Sequence, residues 1–360
     1  MPRTPSTNPI HLLIPLSFFV FASSCNNNAT PTNGNSLRGM FVFGSSIVDN
    51  GNNNQLFGDF TKANFMPYGI DFPSGPTGRF SNGKNVADLI ANRLNLPLIP
   101  PFFDLRNKGD SMVNGVNFAS GGSGIQDETG ALLGVTSLNK QIKKFKDDIL
   151  PQLESQIGCK AQIILPHYLF LVGAGNNDYS LYYLLQQTHI LSPLEFAAKL
   201  VTRFSAQLKQ LYDMGARKFL LLSAYPVGCN PVLTKERKDC VKELNEAVHF
   251  FYQQLMIMVK HKDQKMPEAQ FSVVNSAKII QDIIKNAKAI GFTNADCACC
   301  EMSKLGSCIK GGKTCPNRDK YVYFDGLHLT EAASAILATK ACNSTDHHEV
   351  FVNLQKLTQV

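Results

Sequence analysis

Short apolar runs separated by long amphipathic stretches set the pattern of this chain. Five runs read as strands, at about residues 38–43, 113–119, 168–172, 218–222 and 271–274. Four of them are nearly continuous in apolar residues, as strands buried on both faces are. The run at 113–119 instead alternates Val113, Val116 and Phe118 with polar residues. Residues 137–156 place Leu138, Ile142, Phe145, Ile149 and Leu153 at three- and four-residue steps, which is one stripe of a helix. Ser192-Pro193-Leu194-Glu195 is a capping box with proline at the first helical position. The helix it opens presents Phe196, Leu200, Phe204, Leu208 and Leu211, and Gly215 stops it. A second long helix is predicted over 240–259, with Val241, Leu244, Val248, Phe251, Leu255 and Met258 on one face. Shorter helices are predicted over 277–288, after a cap at Asn82 or Asn85, and from about Thr330.

Strands alternating with helices imply a mostly parallel sheet covered on both faces, with right-handed crossovers. The expected class is α/β with a five-stranded sheet. No repeat and no internal linker divides the chain. One domain is therefore expected over 37–345, followed by a tail at 346–360. Residues 49–81 are rich in Gly, Asn and Pro and lack periodicity. So long a connection reads as a loop lying over a functional edge.

The N-terminus changes the picture. Arg3 precedes a mostly apolar run from His11 to Ala22, and Ala22-Ser23-Ser24 supplies small residues for cleavage. Residues 1–24 read as a secretory signal and 25–36 as a flexible leader, so an extracellular protein is expected. The apolar run is too short for a membrane span, and no later stretch reaches that length free of charge. In an oxidising compartment the ten cysteines favour disulfides, with the pairing left open. Cys229 and Cys240 flank a short loop, and Cys297, Cys299, Cys300, Cys308 and Cys315 cluster. That cluster lacks paired Cys-x-x-Cys knuckles and histidines at ligand spacing, so no metal is expected. Asn28 and Asn343 open glycosylation sequons. The formal charge of +7 is not gathered in one block, which argues against a nucleic-acid partner. It would attract an acidic, pectin-like wall polymer.

Ligands of parallel sheets bind at the carboxyl ends of the strands. Three polar, glycine-bearing junctions fall there: Gly44-Ser45-Ser46, Ser120-Gly121-Gly122 and Gly175-Asn176-Asn177-Asp178. A late loop, Asp325 to His328, is a fourth. Together they offer a hydroxyl, backbone amides, a carboxamide, a carboxylate and an imidazole, the inventory of acyl transfer by a serine. Each has an ordinary alternative: a Gly-Ser-Ser turn, a turn at Gly121, an Asx turn at Asn177, a structural histidine at 328. Asp178 is expected to brace a loop.

The ordered set Phe41-Val-Phe-Gly-Ser-Ser-Ile-Val-Asp-Asn-Gly-Asn-Asn-Asn54, Pro67-Tyr-Gly69, Gly78-Arg-Phe-Ser-Asn-Gly83, Gly115-Val-Asn-Phe-Ala-Ser-Gly-Gly122, Gly175-Asn-Asn-Asp178 and Tyr321-Val-Tyr-Phe-Asp-Gly-Leu-His328 is more specific than any one junction. With it the chain resembles the secreted plant GDSL esterase/lipases, a branch of the SGNH hydrolase superfamily. The resemblance implies a three-layer α/β/α, flavodoxin-like fold and ester hydrolysis with no cofactor. It implies Ser46 as nucleophile, His328 as base and Asp325 as its orienting carboxylate. The amide of Gly121 and the side chain of Asn177 would be oxyanion donors beside the Ser46 amide. The substrate class stays open among lipid, cutin or wax esters and acetylated glycans. An acyltransferase, or a binding protein with little turnover, is the alternative function.

The chain departs from that family at four places. Ser45 replaces the signature aspartate, whose carboxylate would brace the turn. Phe324 stands for tryptophan, Asn275 for an aspartate, and Leu329 for a proline whose loss is expected to loosen the approach of His328.

Overall fold

The computed structural model describes residues 37–58, 61–105, 111–183, 191–236 and 239–358. Strands β1 (Gly39–Gly44), β2 (Tyr168–Gly173), β3 (Lys218–Leu222) and β4 (Gln270–Val274) form one parallel sheet in the order β1-β2-β3-β4. Successive residues of a strand point to opposite faces, so each strand serves two cores. Phe41, Phe43, Phe170, Val172, Phe219, Leu221 and Phe271 belong to one buried cluster. Met40, Val42, Leu169, Leu171, Leu220, Leu222 and Val274 belong to the other.

Helices cover both faces. Helices α1 (Val86–Arg93), α2 (Leu138–Lys144), α3 (Leu150–Ile157), α4 (Pro193–Asp213), α5 (Lys242–Lys260), α6 (Ser276–Lys285), α7 (Glu331–Asn343) and α8 (Leu354–Thr358) follow in chain order. The apolar stripes of α2 to α5 pack on the phenylalanine face, and α1, α6 and α7 pack on the other. The result is a three-layer α/β/α fold. Asn85, not Asn82, caps α1, accepting the N–H groups of Ala87 and Asp88. The capping box at Ser192 and Glu195 opens α4, and Thr330 caps α7. Asn275 caps α6 through the Lys278 N–H, which gives this residue a structural role. Among the described residues no helix is long and apolar enough to cross a membrane.

Four expectations need correction. Residues 113–119 are not a strand, so the sheet has four strands rather than five. The segment runs beside β1 and exchanges hydrogen bonds with it (Val42 N–H to Val116 O, 3.0 Å; Phe118 N–H to Val42 O, 2.7 Å). Against β1 the bridging is confined to the parallel pair Val42 and Asn117, and Asn117 also bridges Pro101 on its other side. Gly115 has φ of 104°, and a Cβ there would lie 1.9 Å from the Met40 carbonyl oxygen. The Asn117 side chain also bonds its own chain, at the Ala119 N–H. Both features break the extended ladder. Second, the helix over 137–156 is interrupted by a π-turn, Phe145–Ile149, with Pro151 just beyond it; proline cannot donate a helical N–H. The apolar stripe survives the interruption, and its five residues are buried.

Third, the segment after residue 345 is no tail. Val350 bridges Val274, the Phe351 N–H donates to Val273 O, and Leu354 and Leu357 are buried. The edge of β4 needs a cover, and this segment is it. Fourth, a small parallel pair, β5 (Asn294–Ala298) with β6 (Tyr321–Tyr323), was not foreseen, because β5 has no apolar run to announce it. The proposed signal, the leader and Asn28 lie outside the described residues.

Candidate active site

Gly44 ends β1 with φ of 135°, and a Cβ there would sit 2.1 Å from the Gly173 carbonyl oxygen. Only glycine lets the two strand ends approach so closely. Gln141, fully buried on α2, clamps the same residue. Its Oε1 accepts the Gly44 N–H at 2.8 Å and its Nε2 donates to the Gly44 O at 2.9 Å. The Ser45 N–H donates to Gly173 O at 3.0 Å. The Ser45 hydroxyl is fully buried and, among the described residues, finds no partner. Ser46 follows with its hydroxyl toward the cleft and is 8% exposed.

His328 reaches the same point from a distant part of the chain. Its Nε2 lies 2.7 Å from Ser46 Oγ, across 282 residues of sequence. Its Nδ1 lies 2.8 and 3.0 Å from the two oxygens of Asp325. Facing a carboxylate, Nδ1 carries the ring proton, which leaves Nε2 to accept from the serine hydroxyl. Asp325 is itself immobilised. Oδ1 accepts the N–H groups of Leu327 and His328 at 2.7 Å each, and Oδ2 accepts the hydroxyl of Tyr68 at 2.7 Å. The Phe80 ring packs 5.0 Å from the imidazole. Leu329 is buried in the core beside Val322 and Tyr323. Backbone bonds on either side of it, Phe324 N–H to His328 O and Thr330 N–H to Val322 O, fix the loop. Packing and these bonds oppose the loosening expected at Leu329, restraining the loop where proline would fix φ. Phe324 is likewise fully buried and packs 5.8 Å from the Tyr68 ring.

The expected oxyanion donors divide. The Gly121 N–H is taken: it donates to Asp49 Oδ2 at 2.9 Å. Asp49 also accepts the N–H groups of Gly51 and Asn52 at 2.8 Å each, and so ties the serine turn to the 120–124 loop. Burial pushes its carboxyl up to about 6, with these N–H bonds pulling the other way. The next amide of that loop is that of Gly122. Among the described residues, the N–H groups of Ser46 and Gly122 meet no acceptor, and both residues line the cleft. Asn177 lines it too. Its Nδ2 donates one hydrogen to Ser123 O at 2.8 Å, which leaves the other for a ligand. Asp178 faces away and braces the loop beyond Gly124, accepting from Ile125 N, Gln126 N and Thr129 Oγ1.

Tyr68 and Gln141 are the residues that sequence reading missed. The only signal for Tyr68 was its place in the Pro67-Tyr68-Gly69 turn. Gln141 had none, being one polar position on an amphipathic helix. The other motif residues support the frame. Arg79 forms a buried bidentate pair with Asp88 of α1 (2.7 and 2.8 Å), and the Asn82 carboxamide accepts the Glu331 N–H of α7. Asn53 donates to both Thr61 O and Gly121 O at 2.8 Å. The polar run after Asp49 is thus internal mortar between loops.

The cleft over Ser46 encloses about 380 Å³. Ile47, Leu133, Val232, Leu233, Leu305 and Leu327 give it an apolar wall. Disulfides join Cys229 to Cys240, Cys299 to Cys315 and Cys300 to Cys308, and the last two staple the lobe that carries Leu305. Among the described residues, no three His, Cys, Asp or Glu side chains converge as a metal site. Asn343, the last residue of α7, is exposed.

Comparison with known proteins places the chain among esterases and lipases. The family described as GDSL-like Lipase/Acylhydrolase matches residues 40–341. Three Arabidopsis thaliana proteins are similar to the chain along most of its length. GDSL esterase/lipase At1g71691 is 37% identical over 332 residues, covering 89% of this chain and 85% of the relative. GDSL esterase/lipase At1g29660 is 36% identical, covering 89% and 91%. GDSL esterase/lipase At5g08460 is 34% identical, covering 97% and 94%.

Proposed function

The chain belongs to the GDSL-like lipase/acylhydrolase family, and from that premise we propose that it is a secreted carboxylic ester hydrolase working through an acyl-Ser46 intermediate. The observation that carries the reading is the 2.7 Å contact between Ser46 Oγ and His328 Nε2. Ser46 Oγ attacks the ester carbonyl while its proton passes to Nε2. Asp325 holds the ring in the tautomer this step needs and stabilises the imidazolium that forms. The alkoxide of the tetrahedral intermediate is held by the amides of Ser46 and Gly122 and the second Asn177 hydrogen. Each such donor contributes about 2.7–4 kcal/mol in a transition state. Collapse expels the alcohol, which takes the proton from Nε2. Water then attacks the acyl-serine, giving its proton to the same nitrogen, and the acid leaves.

The six-residue apolar wall supports esters carrying a hydrocarbon chain, lipid or cutin-like, over acetylated glycans. The disulfides seen among the described residues support an oxidising destination. Leu329, packed in the core, lends nothing to a role as a binding protein, and Ser45 is that alternative's one remaining support.

The test is hydrolysis of p-nitrophenyl esters from acetate to palmitate by the parent, Ser46→Ala and Ser45→Ala proteins, with and without an added alcohol. Turnover is expected in the parent and in Ser45→Ala and is lost in Ser46→Ala, with free acid as the product. Full turnover by Ser46→Ala would sink the mechanism, and ester formation on the added alcohol would move the reading to acyl transfer.

A further inference from the structure

Tyr68 is fully buried, lies outside the acyl-transfer steps, and makes two hydrogen bonds of opposite sense. Its hydroxyl donates to Asp325 Oδ2 at 2.7 Å and accepts the backbone N–H of Cys308 at 3.0 Å. A phenol has one proton. With the Cys308 N–H on its acceptor side, that proton is directed to the carboxylate. Cys308 is fixed by its disulfide to Cys300, and the Cys300 N–H donates to Phe324 O at 2.9 Å, one residue before Asp325. The Gly326 N–H donates to Gly306 O at 2.7 Å on the same lobe. The lobe therefore grips the base loop on both sides of Asp325 and holds the phenol that touches it.

We propose that Tyr68 is a positioning residue of the Ser46–His328–Asp325 triad and that the Cys300–Cys308 staple aims its hydroxyl at Asp325. The inference rests on the triad reading given above. Burial first, and the charge of Asp325 second, hold the phenol well above its ordinary range, so it stays a donor wherever the enzyme works. Oδ2 is shared between Tyr68 and His328 Nδ1. The phenol draws carboxylate charge away from the imidazole and stops the carboxylate from rotating. Without it, Asp325 stabilises the imidazolium more strongly. The ring then returns its proton to the leaving alcohol more slowly and stays protonated to higher pH.

The other charged groups around the ring come from separate elements. Asp49 lies behind Gly121, Arg79 is paired with Asp88 beside Phe80, and Lys304 stands on the lobe at the cleft. Tyr68→Phe alters none of them. It also keeps the ring that packs on Phe65, Phe80 and Phe324.

The experiment measures ethyl butyrate hydrolysis against pH, by chromatography of the acid released, for the parent and Tyr68→Phe; ethanol, unlike a nitrophenol, needs the imidazolium proton to leave. Rates are normalised by titrating Ser46 with a fluorophosphonate, which loses fluoride as it bonds the serine. The expected result is a fall of about tenfold in kcat per titrated site with KM little changed. The acidic limb of kcat/KM should move up by about half a pH unit. A Cys300→Ser/Cys308→Ser protein should change in the same direction and add nothing further in the Tyr68→Phe background. Unchanged kcat per titrated site and an unmoved acidic limb in Tyr68→Phe, even with a lowered Tm, would overturn the proposal. If that variant does not accumulate, unchanged values in the cysteine pair overturn it instead. Turnover by Ser46→Ala would instead fault the triad reading, and this inference with it, whereas full activity of Tyr68→Phe beside a dead Ser46→Ala faults this inference alone.

Discussion

The serine turn at the end of β1 is held through backbone amides by Gln141 and the Asp49 carboxylate, whereas the base loop is built around the Asp325 carboxylate and a set of packed rings. Gly44 touches Gly173 with no room for a side chain, and Gln141 and Asp49 hold the turn by its amides. Across the cleft, Asp325 accepts from two amides, the imidazole and Tyr68, while Phe80 and Phe324 fill the space beside them. The two regions tolerate departures from the family differently. Leu329 and Phe324 are absorbed, because an apolar side chain needs only volume. Ser45 is not absorbed, because its buried hydroxyl needs a partner and has none among the described residues. A frame of backbone hydrogen bonds discriminates by chemistry, and a packed frame by shape.

The largest expected effect tests the backbone half. Gly44→Ala should cost more than about 4 kcal/mol and abolish accumulation of folded protein, since φ and space are both wrong. In the packed half, Gly326→Ala meets the Gly306 Cα at 2.8 Å, a milder contact, and should cost about 1–2 kcal/mol. Urea unfolding measures both, and equal costs would erase the distinction.

A middle effect comes from Asp49. Its folded value of about 6 lies above that of an unfolded aspartate. The neutral form is therefore favoured by folding. This contribution is full at low pH and is lost as pH rises from about 4 through about 6, on the order of 3 kcal/mol in all. Asp49→Asn cannot ionise, so it does not lose stability over that window. The variant should be less stable than the parent at pH 4, having lost an acceptor, and its deficit should narrow toward pH 7. A deficit that widens with pH, read from Tm across the series, would mean that the Asp49 charge is stabilised in the fold.

The smallest effect is at Ser45. Ser45→Ala removes an unpaired hydroxyl and should leave stability unchanged or raise it by up to about 1 kcal/mol. Thr330→Ala, by contrast, removes a bonded cap of α7 and should cost about 1 kcal/mol. A loss at Ser45 as large as that at Thr330 would show the serine turn to be bonded after all.

Much of this was legible along the chain. The four continuous strands, the capping box at Ser192 and the stripes of α4 and α5 are local patterns, and local patterns survive folding. Residues 113–119 show the limit. Their alternation is real, but Gly115 and the self-bonding Asn117 break the ladder, and only contact with Met40 and Val42 reveals it. Ser46, Asp325 and His328 come together at the carboxyl edge of the sheet and Asn177 lines the same cleft, while the Gly121 amide is engaged by Asp49.

The sequence by itself determined which elements form and which polar junctions reach the carboxyl edge of the sheet, because periodicity, caps and glycines act over a few residues. The tertiary structure alone decided which groups are engaged there. Tyr68 meets Asp325 across 257 residues, Gln141 meets Gly44 across 97, and Gly121 meets Asp49 across 72. A hydrogen bond between such partners depends on the relative placement of whole elements to a few tenths of an ångström, and no pattern within a single element encodes that.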